Sequence, residues 1–186
     1  GRAQGRHGDG RPARAGGGDP RGSMSAAGKV VTLDALLPRL APLRAAGRRV
    51  ALTNGLFDVL HVGHLRYLEA AREQADLLVV GVNSDASARA LKGPERPLIG
   101  ERERAELLAG FACVDWVVIF GERTAEALLR RLRPDVHCKG ADYTAESVPE
   151  AGVAAELGIR VAIVGGPKVA DSRELIRRLR GGKPPR

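Results

Sequence analysis

Two histidines three positions apart are the first residues in this sequence whose types and spacing could do chemistry. His61 and His64 lie in the stretch TNGLFDVLHVGHLRYL, residues 53–68, and the whole chain holds only four histidines. Here an apolar strand is predicted to pass into a helix. Such a pair could bind a metal, pack in a core, or donate hydrogen bonds to a phosphate, and the elements around it must decide between these.

The residues beside the pair favour a phosphate site. The helix is predicted to begin near Gly63, so its free N–H groups and positive dipole end would face the tip of the preceding strand. Gly63 leaves room for a phosphate, and two imidazoles can donate to oxygens on which charge grows during displacement. A zinc site would need a third ligand; His137 is distant in sequence, so no metal ligand is assigned. Ordinary packing or capping histidines remain the alternative.

Five apolar strands alternate with helices along the chain. The runs are RRVALTNG, DLLVVGVNS, DWVVIF, PDVHCKG and IRVAIVGG. Continuous apolar runs are typical of strands that are covered on both faces. The alternation predicts an α/β fold, a Rossmann-like open parallel five-stranded sheet with helices on both faces.

The helices are predicted between these strands and at both ends of the domain. TLDALLPRLAPLRAAG should begin near Thr32 or Asp34 and end at Gly47. Pro38 and Pro42 argue against a single uninterrupted helix there. The other predicted helices are residues 63–75, SDASARAL, ERERAELLAGF, TAEALLRRLR, SVPEAGVAAELG and the terminal DSRELIRRLR.

Parallel sheets of this kind bind ligands beyond the carboxyl ends of their strands. The loops expected there are NGLFDVLHVGH, VNSD, FGERT, CKGADY and GGPKVADS. The glycine fingerprint of dinucleotide binders does not follow the first strand, and GxxxxGK[ST] is absent. A nucleotide bound here would therefore need another device for its phosphates, and the His61–His64 stretch offers one.

Charge and composition limit the classes of function. The chain has 186 residues, of which 44% are hydrophobic and 3% aromatic, and a formal net charge of +8. Residues 1–23 hold five arginines against two aspartates, and residues 173–186 hold six basic residues against one glutamate. These two ends account for the whole charge, which favours solubilising tails over a nucleic-acid interface.

The remaining composition predicts one folded domain in a reducing compartment. Cys113 and Cys138 lie in apolar surroundings without a CxxC pattern, so both are expected to be free thiols. No run approaches the ~18 apolar residues of a membrane span, and no secretory signal is evident, so a cytoplasmic location is expected. We expect a disordered Gly/Arg-rich tag or extension over residues 1–28, one domain over 29–181 and a basic tail over 182–186.

The motifs together resemble a known enzyme family. TNGLFDVLHVGH resembles the opening motif of the HxGH nucleotidyltransferase superfamily. VGVNSDASARALKG, RPLIGERERAELLAGFACVDWVVIF and LRPDVHCKGADY resemble the D-glycero-β-D-manno-heptose 1-phosphate adenylyltransferases, and the likeness covers about residues 50 to 180. Because no kinase half is present, the chain resembles the stand-alone form of that family.

The resemblance implies an activity and its partners. The expected reaction transfers AMP from ATP, with Mg²⁺, to a heptose 1-phosphate, giving ADP-heptose and pyrophosphate in a homodimer. Two alternatives stay open. One is cytidylyl transfer to glycerol 3-phosphate or an amino-alcohol phosphate, and the other is a catalytically impaired nucleotide-binding protein.

The resemblance also assigns roles to individual residues. Arg102 competes with Arg104 for the role of phosphate-pairing arginine, and packing is favoured for Trp116 and Tyr143. The expected catalytic residues are His61, His64, Lys92 and Arg104. The expected nucleotide-binding residues are Thr53, Asn54, Gly55, Phe57, Asp58, Gly63, Lys139, Gly140, Asp142, Ser172 and Arg173. The expected substrate-binding residues are Asn83, Asp85 and Lys92.

The last motif departs from the family pattern. The family usually has a Ser-Thr-Thr-like run at the start of its final helix, and here the run is Asp171, Ser172 and Arg173. Ser172 keeps one hydroxyl, and Arg173 would supply a cation. Asp171 adds negative charge, although an aspartate at a helix start is also an ordinary N-cap.

Overall fold

A single sheet organises the chain. The computed structural model describes residues 24–166 and 176–177. All pairings in the sheet are parallel, with the order β3-β2-β1-β4-β5. The predicted five-stranded open parallel sheet is confirmed. The strands are β1 (Val50–Gly55), β2 (Leu77–Asn83), β3 (Trp116–Phe120), β4 (Val136–Gly140) and β5 (Arg160–Val164).

Seven helices accompany the strands within the described residues. They follow the predicted alternation, with the boundaries shifted by a few residues from those expected. The helices are α1 (Ala26–Lys29), α2 (Leu33–Ala45), α3 (Val62–Arg72), α4 (Asp85–Lys92), α5 (Glu101–Ala109), α6 (Glu126–Leu132) and α7 (Ala151–Glu156). None of the helices in the described part of the chain is long and apolar enough to cross a membrane.

The two faces of the sheet each have their own core, as the alternation of side chains along a strand requires. Leu78 and Val80 of β2 pack in the cluster that contains residues of α3 and α5. Leu77 and Val79 point the other way, into the cluster that contains residues of α2, α6 and α7. Burial on both faces explains why β2 is a continuous apolar run.

The order of the strands reverses at β1. This strand pairs with β2 on one side and with β4 on the other, so the chain crosses over between them. A crevice forms at such a reversal, at the carboxyl ends of the strands. The β1–α3 loop, which carries His61, leaves the sheet at this point.

The expectation that Pro38 and Pro42 interrupt the first long helix was wrong. One uninterrupted helix runs from Leu33 to Ala45, with Thr32 as its N-cap, although it contains Pro38 and Pro42. Both prolines lie on the exposed side, while Leu36 and Leu40 are fully buried. The carbonyls freed by the prolines can bond water, and packing of the leucines holds the helix.

The fold begins earlier than predicted. Helix α1 starts at Ala26, inside the segment expected to be disordered, and Ser25 caps it. Buried Lys29 then donates to the carbonyls of Ala109 and Val114 at 2.9 and 3.0 Å, which ties this segment to the end of α5. Residues 1–23 and 182–186 lie outside the described residues. So does the predicted terminal helix, apart from Ile176 and Arg177.

Candidate active site

A cavity of about 830 Å³ lies at the carboxyl ends of the strands, on the side where the strand order reverses. From the β1–α3 region its lining includes the predicted residues Asn54, Gly55, Phe57, His61, Gly63 and His64. From the neighbouring strand ends and α4 it includes the predicted Asn83, Lys92, Lys139, Gly140 and Asp142. The predicted Ser172 and Arg173 lie outside the described residues.

The two motif histidines form a compact unit at the start of α3. His61 is the N-cap residue, and its backbone N–H donates to Nδ1 of His64 at 3.3 Å. The two rings stack with their centroids 3.9 Å apart. Burial, and then the neighbouring His61, lower the pKa of His64 to about 4. His64 is therefore neutral at pH 7, and because Nδ1 accepts, Nε2 carries the proton.

A tight turn brings the chain from β1 to these histidines. Phe57 has a φ of 50°, a left-handed conformation that is uncommon for a residue with a side chain. Its ring meets the His64 ring edge-on at 5.5 Å. A Cβ on Gly55 would lie 3.2 Å from the Phe57 ring, so glycine lets the ring fold back against the strand. This turn fixes where α3 begins and hence where its N–H groups point.

The floor of the cavity is a buried polar network. Asn54 Oδ1 is 2.9 Å from Lys139 Nζ and 3.0 Å from His137 Nε2. Lys139 also pairs with Glu150 at 3.1 Å. Burial lowers the pKa of Lys139 while Glu150 opposes that shift, and burial followed by the charge of Lys139 lowers the pKa of His137 to about 4. The floor therefore holds one neutral imidazole and one ion pair.

The side chain of Thr53 does not line the cavity, and its nucleotide contact stays a prediction. It is fully buried, and its hydroxyl bonds the phenol of Tyr67. That phenol also donates to the carbonyl of Cys138 at 3.0 Å. Burial raises the pKa of Tyr67, so the phenol stays a donor. The side chain of Thr53 points to the α3 face because residues alternate along β1.

Asp58 is likewise absent from the cavity lining, and its nucleotide contact stays a prediction. Its Oδ1 accepts from the backbone N–H groups of Leu98 and Ile99 at 2.7 and 3.2 Å. Its Oδ2 is 2.6 Å from Arg96 Nε. Asp58 therefore ties the β1–α3 loop to the loop between α4 and α5.

Arg104, which was predicted to pair with a phosphate, has mainly internal contacts. Its side chain is fully buried and does not line the cavity. The guanidinium donates to the carbonyls of Leu56, Ile99 and Asn83 and pairs with Asp85 at 2.8 Å. This geometry holds the loop ends together, and the phosphate contact of Arg104 stays a prediction.

The same ion pair engages Asp85, whose substrate contact stays a prediction. Asp85 opens α4, accepts from Arg104 and does not line the cavity. Asn83 does line it, although its amide also donates to Ser87 Oγ at 2.9 Å. Lys92, at the end of α4, is exposed and lines the cavity.

Some cavity residues were missed or undervalued by sequence reasoning. Tyr143, for which packing was favoured, is 39% exposed and lines the cavity, with its ring centroid 5.6 Å from Lys139 Nζ. Arg123 and Thr124 come from the loop FGERT, which the strand-end rule had already indicated. No sequence pattern indicated Glu150 as a site residue, because its role depends on its partner Lys139 in β4. Trp116 is a core residue, as predicted.

Comparison with known proteins agrees with this arrangement. The family model described as cytidylyltransferase-like matches residues 52–170. The bifunctional protein HldE of Geotalea uraniireducens is 49% identical over 154 residues, which are 83% of this chain and 31% of that protein. HldE of Geobacter sulfurreducens is 52% identical over 136 residues, 73% of this chain and 28% of that protein. The chain thus spans about a third of the length of these relatives.

A solved structure shares the fold as well. The lipopolysaccharide core biosynthesis protein of Thermoplasma volcanium is 31% identical, with a TM-score of 0.55. The match covers 63% of this chain and 95% of that one. The family model spans more than half of the sequence, and the motif histidines line the cavity at the carboxyl ends of the strands. This chain therefore belongs to the cytidylyltransferase-like family and is a nucleotidyltransferase.

Proposed function

We propose that this nucleotidyltransferase transfers AMP from ATP to a heptose 1-phosphate, giving ADP-heptose and pyrophosphate. The observation that carries the proposal is the opening of the α3 N-terminus, with His61 and His64, into the cavity at the strand reversal. The choice of ATP and heptose rests on the motif resemblance and on the similarity to HldE.

In the proposed reaction a phosphate oxygen of the acceptor attacks the α-phosphorus of ATP. A new P–O bond forms while the bond from the α-phosphorus to the α–β bridging oxygen breaks, and pyrophosphate leaves with that electron pair. No proton has to be removed, because a sugar phosphate is ionised at neutral pH. The protein's task is therefore to orient the reactants and to stabilise charge.

The residues of the cavity suit that task. Neutral His64 would donate from Nε2 to a phosphate oxygen, next to the free N–H groups at the start of α3. Lys92, which is exposed and lines the cavity, would add a cation. Hydrogen bonds to oxygens on which charge increases in the transition state accelerate the reaction most.

Magnesium fits as a companion of the nucleotide. Asp142 and Glu150 are the carboxylates of the described cavity lining, and Glu150 is engaged by Lys139. Among the described residues no group of three or more His, Cys, Asp and Glu is placed to hold a metal. Mg²⁺ commonly relies on substrate phosphates and water with one or two carboxylates, so Asp142 is the residue proposed to contact it. When bound, it would neutralise phosphate charge.

A second candidate is cytidylyl transfer, which the description of the matching family favours. Choice of base depends on contacts that the motif histidines do not make. The homodimer and the cytoplasmic location inferred from the sequence remain predictions, and so does the absence of a nucleic-acid partner.

Pyrophosphate release tests the proposal. The protein is incubated with Mg²⁺ and ATP, CTP or UTP, each with heptose 1-phosphate, glycerol 3-phosphate or an amino-alcohol phosphate. Release with ATP and heptose 1-phosphate alone supports the proposal. Release only with CTP would establish the second candidate, and nucleotide binding without release from any pair would identify an impaired nucleotide-binding protein.

A further inference from the structure

The cavity floor is built by residues that alternation along two neighbouring strands places on one face. In β1 and β4, Leu52 is aligned with His137, which puts Asn54 beside Lys139 two positions further on. Leu52 belongs to the cluster that contains α7 residues, so these side chains share the α7 face. Glu150, the residue directly before α7, joins this group through its ion pair with Lys139.

The contacts determine the orientation of the Asn54 amide. An ammonium group has three donors and no acceptor, so the Asn54 atom 2.9 Å from Lys139 Nζ must be Oδ1. His137 Nε2 lies 3.0 Å from the same atom and must donate to it. With Oδ1 held by two donors, the Nδ2 amide group faces away from both of them, and Asn54 lines the cavity.

Glu150 holds the ammonium in this position. Its Oε2 is 3.1 Å from Lys139 Nζ, and its Oε1 accepts from the backbone N–H of Ala125 at 3.0 Å. Glu150 is 2% exposed and Lys139 is 6% exposed. A buried ammonium without its counter-charge is strongly disfavoured, so Lys139 would not stay beside Asn54 without Glu150.

We propose that Glu150 is a positioning residue that, through Lys139, presents the Asn54 amide N–H groups to a phosphate oxygen of the bound nucleotide. This inference rests on the proposed function and deepens it. Because Glu150 and Lys139 neutralise each other, the floor recognises the oxygen by a directed neutral donor. Positive charge for the phosphates comes instead from Lys92 and the N-terminus of α3.

The first test is Glu150→Gln, which keeps the shape of the side chain and removes its charge. Glu156→Gln is the matched control. Glu156 ends α7, the helix that Glu150 precedes, and pairs with Arg130 on the surface at 2.7 Å. The KM for ATP is measured by pyrophosphate release. We expect Glu150→Gln to raise the KM for ATP roughly tenfold or more, which is the effect of losing one hydrogen bond to a charged group. Glu156→Gln should leave the KM unchanged. Equal KM values for the two variants would overturn the inference.

A substitution at Asn54 tests the nucleotide contact directly, because loss of a merely structural residue would not change the KM of a folded variant. Asn54→Asp keeps an oxygen for Lys139 and His137, so thermal stability should be maintained, yet it places a carboxylate where the donor was. We expect the KM for ATP to rise by roughly 10²-fold. An unchanged KM in this folded variant would show that Asn54 does not contact the nucleotide and would sink the proposal.

A double-mutant cycle shows whether Glu150 acts through Asn54. In an Asn54→Ala background, Glu150→Gln should add little to the KM, since the amide it positions is gone. Full additivity of the two effects would contradict the mechanism.

The inference and the proposed function can fail separately. If the wild-type protein releases no pyrophosphate from any substrate pair, the proposed function fails. Calorimetric binding of Mg²⁺–ATP to the same variants then takes the place of KM. A wild-type protein that binds none of ATP, CTP and UTP would refute both.

Discussion

The backbone N–H of His61 donates to Nδ1 of His64 at 3.3 Å while the two imidazole rings stack 3.9 Å apart. This pairing decides the tautomer of His64, because an accepting Nδ1 leaves the proton on Nε2. The motif spacing therefore does more than place two rings near a phosphate. It makes one residue orient the other.

Replacing His64 with alanine should lower turnover by ~10²–10³, the usual effect of removing one transition-state donor. The fold should persist, because His64 lies in the first turn of α3 and the helix is held by buried Leu68 and Ala71. Steady-state pyrophosphate release and a thermal melt measure both quantities. Arg66→Ala, on the exposed side of the same helix, is the control, and near-full activity of His64→Ala would remove this residue from the mechanism.

Replacing Lys92 with alanine should reduce kcat/KM by roughly 10²-fold without changing the thermal midpoint. Lys92 is exposed at the end of α4 and faces the cavity, so it contributes charge to the ligand and little to packing. Arg89→Ala removes an exposed cation from the same helix outside the cavity lining. If both variants lose the same activity, a general charge effect explains Lys92.

Replacing Arg104 with alanine should destabilise the fold by about 3 kcal/mol or more, because a buried ion pair and three carbonyls lose their partner. Urea unfolding measures the free energy of unfolding, with Arg102→Ala, an exposed change on the same helix, as the control. The opposite result, a stable variant with a raised KM for ATP, would restore the phosphate contact that the sequence predicted.

Replacing Tyr67 with phenylalanine removes the bonds to the Thr53 hydroxyl and the Cys138 carbonyl. Losing hydrogen bonds at buried groups should lower the free energy of unfolding by about 1–3 kcal/mol. Tyr67 lines the cavity, but its hydroxyl is engaged by Thr53 and Cys138, so the KM for ATP should not change. A rise in KM at unchanged stability would place the hydroxyl in the binding site.

Stability should fall as the pH drops from about 6.5 toward 4. In the folded chain the pKa of His64 and of His137 is about 4, against an ordinary value of 6.5. Between these pH values the unfolded chain binds more protons than the folded one, so acid favours unfolding. Denaturant titrations at several pH values measure this, and His137→Gln should reduce the slope. An equally steep slope in that variant would show that His137 is not a source of the acid sensitivity.

Local signals in the sequence were sufficient for the fold and for the position of the site. Apolar runs of strand length alternate with helical patterns, and that alternation admits few arrangements other than a parallel sheet. The turn at Gly55 and Phe57 and the start of α3, predicted near Gly63 and found at Val62, depend on residues adjacent in the chain. Because ligands bind where such strands end, the sequence also indicated which loops form the cavity.

Contacts between distant segments were beyond those signals. Arg104 has the type and helix position of a phosphate ligand, yet two of its acceptors are the carbonyls of Leu56 and Asn83, which lie 48 and 21 residues earlier in the chain. Thr53 and Asn54 are neighbours in sequence, but they point to opposite faces and have unrelated partners.

The sequence by itself determined the parallel five-stranded sheet and a histidine pair at the start of α3, because each is indicated by patterns of residues close together in the chain. The reversal of the strand order at β1 is known only from the tertiary structure. Only the tertiary structure decided which charged side chains reach the cavity. Lys139 is directed by Glu150, and Arg104 is withdrawn from the cavity by buried carbonyls. The physical reason is that a charged group takes the nearest acceptor that burial offers, and packing of remote elements sets which acceptor that is.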